Sequence, residues 1–231
     1  MTTSDLANWT PRARPQRNMI SGDAVRLEPV DDADHAKALF AAAQGDGGDP
    51  ALWDYLGYGP FADLAEFTHW VSERSRSEDP LFFAVVDQIS NRALGMVSFL
   101  RIDEAFGVIE IGHIWFGSGL QKSRGATEAI FLLARYAFDA LDYRRLEWKC
   151  NNDNARSKRA AERFGFSFEG IFRQHMITKG KNRDTAWFSI IDSEWEAIRT
   201  GFERWLADDN FDENGTQRVS LVELRAGAAT E

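Results

Sequence analysis

The amino-acid sequence predicts one elaborated mixed α/β domain, with a central sheet of about six to seven strands flanked by helices. The chain has 231 residues, which is long for one ordinary domain and short for two. Hydrophobic residues make up 44% of the chain and charged residues 27%, the balance of a globular protein with a sizeable core. Short β-type runs alternate with helical patterns along most of its length.

The first half of the chain predicts an extended arm, one strand, two helices and three further strands. Residues 1–21 are rich in Arg and Pro, and we expect them to form an arm that lies on the body or is left loose. Asp31 or Asp32 can cap the first helix. The predicted ranges are a strand over 24–28, helices over 31–43 and 61–71, and strands over 81–86, 93–102 and 106–116.

The second half predicts a long helix, a strand, a shorter helix, a β-hairpin and a last helix. Gly165 is typical of a helix end, Gly180 marks the hairpin turn, and Ser193 is expected to cap the last helix. The domain should span 22–207, with 208–231 as a tail that could add a strand. The ranges are helix 124–141, strand 145–149, helix 154–164, strands 166–178 and 183–192, and helix 193–206.

The charge balance and the lack of long apolar segments exclude several classes of protein. There are 27 Lys and Arg against 36 Asp and Glu, a net charge of −9, whereas a general nucleic-acid binder carries the opposite balance. An acidic protein suits cationic small molecules or peptides. No run approaches the length of a transmembrane helix, and residues 1–20 do not resemble a signal peptide. We therefore expect a cytoplasmic protein that binds neither nucleic acid nor a membrane.

The sequence predicts no metal site. Cys150 is the only cysteine, which excludes an intrachain disulfide and a thiolate zinc cluster. Residues 210–215 place oxygen ligands like a calcium loop, but Leu221 stands at position twelve, where Glu is required. No neighbour in sequence would activate Cys150, so we expect a small buried hydrophobe and not a nucleophile.

The segment from Ile109 to Ala129 predicts an anion-binding site. A strand ends near Phe116, a small polar and basic loop spans 117–123, and a helix starts at about Arg124. The first turn of a helix leaves backbone N–H groups unpaired and carries partial positive charge, so it holds phosphates well. Lys122 and Arg124 add charge there, although a basic loop before a helix is more often a solvated turn.

Motifs in this segment and beyond resemble those of one enzyme family. The loop Gln121-Lys122-Ser123-Arg124-Gly125-Ala126 is similar to the Q/R-x-x-G-x-G/A loop that binds acyl-CoA pyrophosphate in the GNAT N-acyltransferase superfamily. The resemblance is closest to its RimJ/RimL-like branch, which includes ribosomal-protein N-acetyltransferases, and covers about residues 22–200. The further motifs are Ala126-Thr127-Glu128-Ala129, Asn154-Ala155-Arg156-Ser157, Arg163-Phe164-Gly165-Phe166, Glu169 to Arg173, Asn182-Arg183-Asp184 and Glu194-Trp195.

The resemblance implies a GNAT fold and an N-acyltransferase that moves an acetyl group from acetyl-CoA to a primary amine by direct transfer in a ternary complex. The amine could belong to a peptide N-terminus, an amino-acid-like metabolite or an antibiotic, with residues 52–78 and the hairpin near Lys181 shaping its pocket. A homodimer is a family-level expectation. Two alternatives stay open: a non-catalytic acyl-CoA-binding or sensing protein, and an acyltransferase that uses a different acyl-CoA.

The resemblance also implies the residues that contact the donor. Asn154 would contact the pantetheine arm and Ser157 the thioester sulfur, although Asn154 is equally typical of a helix N-cap. Backbone contacts would come from Ile114, Trp115 and Phe116, and pyrophosphate contacts from Gln121, Lys122, Ser123, Arg124, Gly125 and Ala126.

Two positions depart from the family pattern. Arg124 stands where the loop prefers Gly, so we expect an ordinary backbone conformation there, with a guanidinium that could reach a phosphate. Ala161 stands where many members place a Tyr that acts as general acid, so the general acid is not assigned. Ser157 could instead hydrogen-bond the leaving sulfur.

Transfer to an amine needs a base, because only the neutral amine attacks. Glu110 is our candidate. Strand alternation places Glu110, Gly112 and Ile114 on one face and His113 on the other, and the resemblance implies that this strand lines the acyl end of the cleft. A Glu on a solvated strand face is the alternative interpretation. His113 is the rival base, since imidazole titrates near neutrality, unless it is a core histidine.

Overall fold

The fold is an eight-stranded mixed sheet with helices on both faces. The computed structural model describes residues 6–46 and 48–228, so residues 1–5 of the predicted arm, Gly47 and residues 229–231 of the tail lie outside the described residues. The strand order is β1-β2-β3-β4-β5-β6-β8-β7, and neighbouring strands are antiparallel except for β5 and β6. The strands are β1 (Ile20–Ser21), β2 (Val25–Pro29), β3 (Leu81–Asp87), β4 (Ala93–Asp103), β5 (Val108–Phe116), β6 (Arg145–Asn151), β7 (Ser167–Thr178) and β8 (Lys181–Ile191).

The α-helices connect and cover these strands. They are α1 (Asp32–Gln44), α2 (Leu64–Ser75), α3 (Arg124–Arg135), α4 (Ala155–Phe164), α5 (Asp192–Leu206) and α6 (Leu221–Ala228). A π-helical turn over Tyr136–Ala140 continues α3. The predicted fold class, a mixed sheet flanked by helices, is confirmed. The eighth strand is β1, whose two residues pair with β2 and are too few to give a sequence pattern.

Helix ends follow local capping chemistry. Asp31 caps α1 as predicted, because its carboxylate accepts hydrogen bonds from Ala33 N and Asp34 N. Gly165 ends α4 at a φ of 100°, also as predicted. The predicted cap at Ser193 is wrong. Helix α5 begins at Asp192, directly after β8, and Ile191 N–H donates to the carboxylate of Glu194 at 3.0 Å.

Over its described residues, 208–228, the C-terminal segment forms a short 3₁₀ turn and ends in a helix, so the predicted extra strand is wrong. A single isolated bridge joins Phe211 and Gln217, and helix α6 follows. Ser220 N–H donates to Glu223 Oε2 at 3.0 Å while Glu223 N–H donates to Ser220 Oγ at 3.3 Å, which is a capping box. Leu221 is fully buried in the main core. The pattern Ser-x-x-Glu from Ser220 to Glu223 therefore marks the start of a helix.

The N-terminal arm lies on the body over its described part. Trp9 Nε1 donates to the carbonyl of Ala105 at 2.7 Å. Arg12 forms an ion pair with Asp142 at 2.6 Å. These contacts place the arm along the β4–β5 turn and the segment before β6, and it enters the sheet at β1.

The two faces of the sheet pack differently. One face packs against α3 and α5 in the main core. The other face packs against α1 and α2 over β3 and β4, in a second core that includes Trp53, Phe67 and Phe82. Farther along the same face, β5 and β6 carry Glu110 and Lys149 in place of core residues. The sheet is therefore apolar on both sides at one end and polar on one side at the other.

A buried carboxylate joins α3 to the start of the sheet. Glu128 accepts hydrogen bonds from the backbone N–H groups of Asp23, Ala24 and Val25, each at 2.8 Å. Its side chain is buried, so water does not compete for these donors. Glu128 thus fixes the turn between β1 and β2 on the helix.

Replacing Glu128 with Ala should lower the free energy of unfolding by about 3 kcal/mol, because three buried N–H groups lose a charged acceptor. Equilibrium urea denaturation measures this change. Glu196→Ala, at an exposed position on α5, is the control and should change stability by less than about 0.5 kcal/mol. A loss for Glu128→Ala as small as that of the control would contradict this account.

Candidate active site

Strands β5 and β6 separate before they end, and a cleft opens between them. They pair in parallel from Val108 with Arg145 to Ile111 with Trp148. Beyond that point, β5 pairs with β4 and β6 pairs with β8. The cleft has a volume of about 1520 Å³. Separated parallel strands present backbone N–H and C=O groups to an extended ligand, which can pair with them like a further strand.

A β-bulge shapes the β5 side of the cleft. Met96 of β4 pairs with Trp115 and Ser98 pairs with Gly112, so His113 and Ile114 both oppose one residue. His113 has a φ of 50°, which accommodates the extra residue. The bulge sits where β5 leaves β6.

The bulge reverses the side-chain alternation of β5, and this corrects the predicted faces. Ile111 and Ile114 both contact the main core, whereas Trp115 packs in the second core. The prediction that Ile114 shares a face with Glu110 is therefore wrong. His113 lies on the same side as Glu110, because its ring contacts Phe82 of the second core. Strict alternation holds only up to Gly112.

The loop after β5 is closed by its own side chains and leads into α3. Gln121 Nε2 donates to the carbonyl of Phe116 at 2.9 Å, and Lys122 has a φ of 58°. Ser123 caps α3, since its hydroxyl accepts from Ala126 N–H at 3.1 Å. A Cβ at Gly125 would lie 2.7 Å from Val25, so glycine lets α3 pack closely on β2. This loop and the start of α3 line the cleft, with the exposed Lys122 beside them.

Arg124 adopts an ordinary conformation, as predicted, because it is the first residue of α3. Its guanidinium has partners in the C-terminal segment: the carboxylate of Asp208 at 2.7 Å, the carbonyl of Leu206, and the ring of Phe211 at 5.1 Å. A phosphate contact by Arg124 would require an exchange of these partners, and it stays a prediction.

Several residues that line the cleft were not among the predicted site residues. Arg163 of α4 lines the cleft, and its guanidinium donates to Thr127 of α3 at 3.1 Å. Phe211 and Gln217 line it from the C-terminal segment. Nothing in the local pattern of that segment indicates that it folds back onto α3, so no sequence signal pointed to these residues.

Asn154 and Ser157 lie together at the start of α4. Asn154 Oδ1 accepts from Ser157 N–H at 3.0 Å, so Asn154 is the N-cap. The hydroxyl of Ser157 accepts from Trp148 Nε1 at 2.9 Å and so retains its own hydrogen for donation. Cys150 is buried near this hydroxyl, and burial raises the pKa of its thiol, which disfavours a nucleophilic thiolate. Asn154 and Ser157 both line the cleft.

Glu110 is the centre of a buried charge network, so the solvated-face alternative is wrong. Only 3% of the residue is exposed. Its carboxylate contacts Arg101 Nη1 at 2.7 Å and Lys149 Nζ at 2.9 Å. The lysine contacts Glu147 at 2.6 Å and lies 3.8 Å from the ring centre of Trp187. Burial raises the pKa of Glu110, which outweighs the opposite effect of the two cations.

His113 has an aromatic and largely buried environment. Its ring stacks on Tyr58 at 5.6 Å and contacts Phe82 at 5.0 Å. Burial, followed by the charges of nearby arginines, lowers the pKa of His113 to about 4. The imidazole is therefore neutral near pH 7 and a weaker base than an ordinary histidine. The two predicted bases thus lie on the same side of β5, with Glu110 the better suited to hold a proton.

The lowered pKa of His113 predicts a pH-dependent loss of stability. Below the ordinary value of about 6.5 the unfolded chain binds a proton that the native imidazole refuses down to pH about 4. From pH 7 to 4.5, the free energy of unfolding should fall by about 2 kcal/mol more in the wild type than in His113→Phe. Urea denaturation at both pH values measures the difference. An identical pH dependence in the two proteins would refute the assignment.

The described residues give no indication of a metal centre or a membrane span. Among residues 6–46 and 48–228, no three His, Cys, Asp or Glu side chains are grouped so that they could hold a metal ion. In the same part of the chain, no helix combines the length and apolarity needed to cross a bilayer.

The N-terminus of α3 lies beside two separating parallel strands, an arrangement that suits an extended ligand with a phosphate group at one end. Residues 24–167 match the family model described as Acetyltransferase (GNAT) domain, and the chain belongs to this family. The fold and the family resemblance predicted from the sequence are confirmed. The chain is an acyl-CoA-dependent N-acetyltransferase of a family whose donor is acetyl-CoA.

Individual relatives agree with this assignment. A crystal structure of a GCN5-related N-acetyltransferase from Brucella melitensis is 51% identical, with a TM-score of 0.93 over 95% of this chain and 99% of that one. The N-acetyltransferase p20 of Bacillus licheniformis is 26% identical over 64% of this chain and 84% of its own. A ribosomal-protein-serine acetyltransferase of Escherichia coli is 30% identical over 44% of this chain and 56% of its own, in line with the RimJ/RimL-like branch.

Proposed function

We propose that the enzyme transfers an acetyl group from acetyl-CoA to a primary amine directly in a ternary complex, with Glu110 as the base. The observation that carries this proposal is the position of Glu110. Its carboxylate lines the cleft one residue before the last β5–β6 pair and is buried with a raised pKa. The amine could be a peptide N-terminus, an amino-acid-like metabolite or an amine-bearing antibiotic.

The donor would lie along the cleft from the start of α3 to the gap in the sheet. The pyrophosphate fits the first turn of α3, where backbone N–H groups other than the capped Ala126 N–H have no helical partner and Lys122 adds positive charge. The pantetheine arm would pair with the backbone of residues 114–116, beyond the point where β6 leaves β5. Asn154 and Ser157 would contact its sulfur end from α4.

The chemistry follows from these positions. The amine nitrogen attacks the thioester carbonyl carbon, and its proton passes to Glu110 directly or through one water. A backbone N–H on the open edge of β5 can stabilise the oxyanion. The C–S bond then breaks, and the CoA thiolate accepts a hydrogen bond from Ser157. Ala161 is buried in the main core and supplies no acid. The hydroxyl of Ser157 is too weak an acid to protonate the sulfur fully, so it stabilises the leaving thiolate by a hydrogen bond.

The test of the proposal is the release of free CoA from acetyl-CoA with and without a panel of amines and short peptides, with mass spectrometry of the products. Amine-dependent release together with an acetylated amine supports the proposal. Binding of acetyl-CoA without release for any amine supports the sensing protein, and release only with another acyl-CoA supports a different donor. The homodimer is a separate prediction, tested by analytical ultracentrifugation.

The pH profile of Glu110→Gln tests the base. The carboxylate must be deprotonated to accept the amine's proton, so wild-type kcat/KM should fall as the pH drops through the raised pKa of Glu110. The glutamine variant should lose about 100-fold or more in kcat/KM and lack this acid limb. His113→Phe is the control and should retain the limb at the same pH. Full activity of Glu110→Gln across the pH range would exclude Glu110 as the base.

Two substitutions at Asn154 separate donor binding from helix capping. Asn154→Ala should cost about 1 kcal/mol of stability and weaken donor binding, because both the cap and the amide are lost. Asn154→Asp keeps a capping oxygen but removes the amide N–H groups, so it should keep stability while KM for acetyl-CoA rises about fivefold. If Asn154→Asp has the wild-type KM, the residue is a cap only.

A further inference from the structure

Positive side chains surround Glu110 although the whole chain has a net charge of −9. Arg101 and Lys149 both contact its carboxylate, at 2.7 and 2.9 Å. Lys149 is 5% exposed and is shared with Glu147, so its charge is satisfied inside the protein. Arg101 is different, because 49% of its side chain is exposed and only Nη1 contacts Glu110. Its guanidinium has capacity for a second anion.

Arg183 of β8 is a partly buried cation of the cleft that has no ion-pair partner among the described residues. It lines the cleft, its Nε is buried without a hydrogen-bond partner, and no hydrogen bond or ion pair within 6–46 and 48–228 involves its guanidinium. Burial lowers its pKa, Cys150 and Glu110 act in the opposite direction, and Arg101 adds to the lowering. A partly buried guanidinium without an anion costs stability, so its retention is explained if a ligand supplies the anion.

These cations lie on the acceptor side of the sheet and not on the side of α3. In β8, Ala186 and Phe188 pack in the main core with α3, so Trp187 faces the other way. Arg183 lies four residues before Trp187 in the same strand, so alternation along β8 places it on the face of Trp187. Lys149 lies over Trp187, which places Glu110 and Arg101 on that same face. The donor phosphates, by contrast, belong at the N-terminus of α3.

The same end of the cleft is closed by segments that suit a small acceptor. Residues 54–57, between α1 and α2, line it on one side. The β7–β8 hairpin lines it on the other, where Lys179 Nζ donates to the carbonyls of Trp53 at 2.8 Å and Gly59 at 2.7 Å. The hairpin and the loop are thus held together across the opening. An acceptor bound here lies between Glu110 and the two arginines.

We propose that the acceptor is a small primary amine that also carries a carboxylate, bound by Arg183 and the free side of Arg101 while its nitrogen faces Glu110. This inference rests on the proposed function. A guanidinium presents paired donors that match both oxygens of a carboxylate, which orients the acceptor as well as binding it. Both arginines lie near Glu110, and the acceptor's amine faces Glu110. The acceptor's own carboxylate is therefore only a few bonds from its amine, as in an amino acid or a short peptide.

The experiment compares each acceptor amine as its carboxylate and as its carboxamide, in wild type, Arg183→Gln and Arg183→Lys. The wild type should prefer the carboxylate by at least about tenfold in kcat/KM, the value expected for hydrogen bonds to a charged group. Arg183→Gln should raise KM for the carboxylate about tenfold and leave KM for acetyl-CoA and for the carboxamide unchanged. Arg183→Lys should restore part of the preference. Arg92→Gln, exposed in the β3–β4 turn, is the control and should behave as the wild type.

The outcomes separate this inference from the function on which it rests. Equal use of carboxylate and carboxamide by the wild type would overturn the inference and leave the acetyltransferase intact. A higher KM for acetyl-CoA in Arg183→Gln would assign Arg183 to the donor, and an equal loss of kcat for both acceptors at unchanged KM would make it a positioning residue for Glu110. Each of these results also overturns the inference. No transfer to any amine would overturn the proposed function as well.

Discussion

The separation of β5 from β6 is the constraint on which the site depends. Backbone pairing ends at Ile111 and Trp148, and two residues later the bulge at His113 turns β5 away. Continued pairing would fill the sheet and leave no cleft. With the strands apart, unpaired backbone groups, the N-terminus of α3 and the start of α4 all face one cavity.

The charge network holds the two strands where the backbone bonds stop. The ion pair between Lys149 and Glu110 runs from β6 to β5 at the mouth of the gap. The lysine is fixed by Glu147 and by the ring of Trp187, so Glu110 is held in place without a water shell. These side chains thus hold the separated strands together, while burial of the carboxylate that faces the cleft raises the pKa of Glu110 against the opposite effect of its two cations.

The sequence predicted what depends on local pattern. Helix α1 with its cap, the end of α4 at Gly165 and the closed loop before α3 all follow from short-range capping and turn rules. The bulge did not, because the pairing of Met96 and Ser98 with β5 is a tertiary property and reverses the faces past Gly112. The partners of Glu110 lie 9 and 39 positions away at Arg101 and Lys149. The folding of the C-terminal segment onto Arg124 likewise has no local signal.

The central claim is that the gap between β5 and β6 receives the donor. Amide hydrogen exchange of residues 112–116 and 149–151, with and without acetyl-CoA, tests it most directly. Pairing with the pantetheine arm should slow exchange at the inner edge of β5, and phosphate binding should slow it in the first turn of α3. The β4–β5 turn, at the opposite end of β5, should be unchanged. If calorimetry shows that acetyl-CoA binds, but exchange slows neither in β5 nor in the first turn of α3, the donor lies elsewhere.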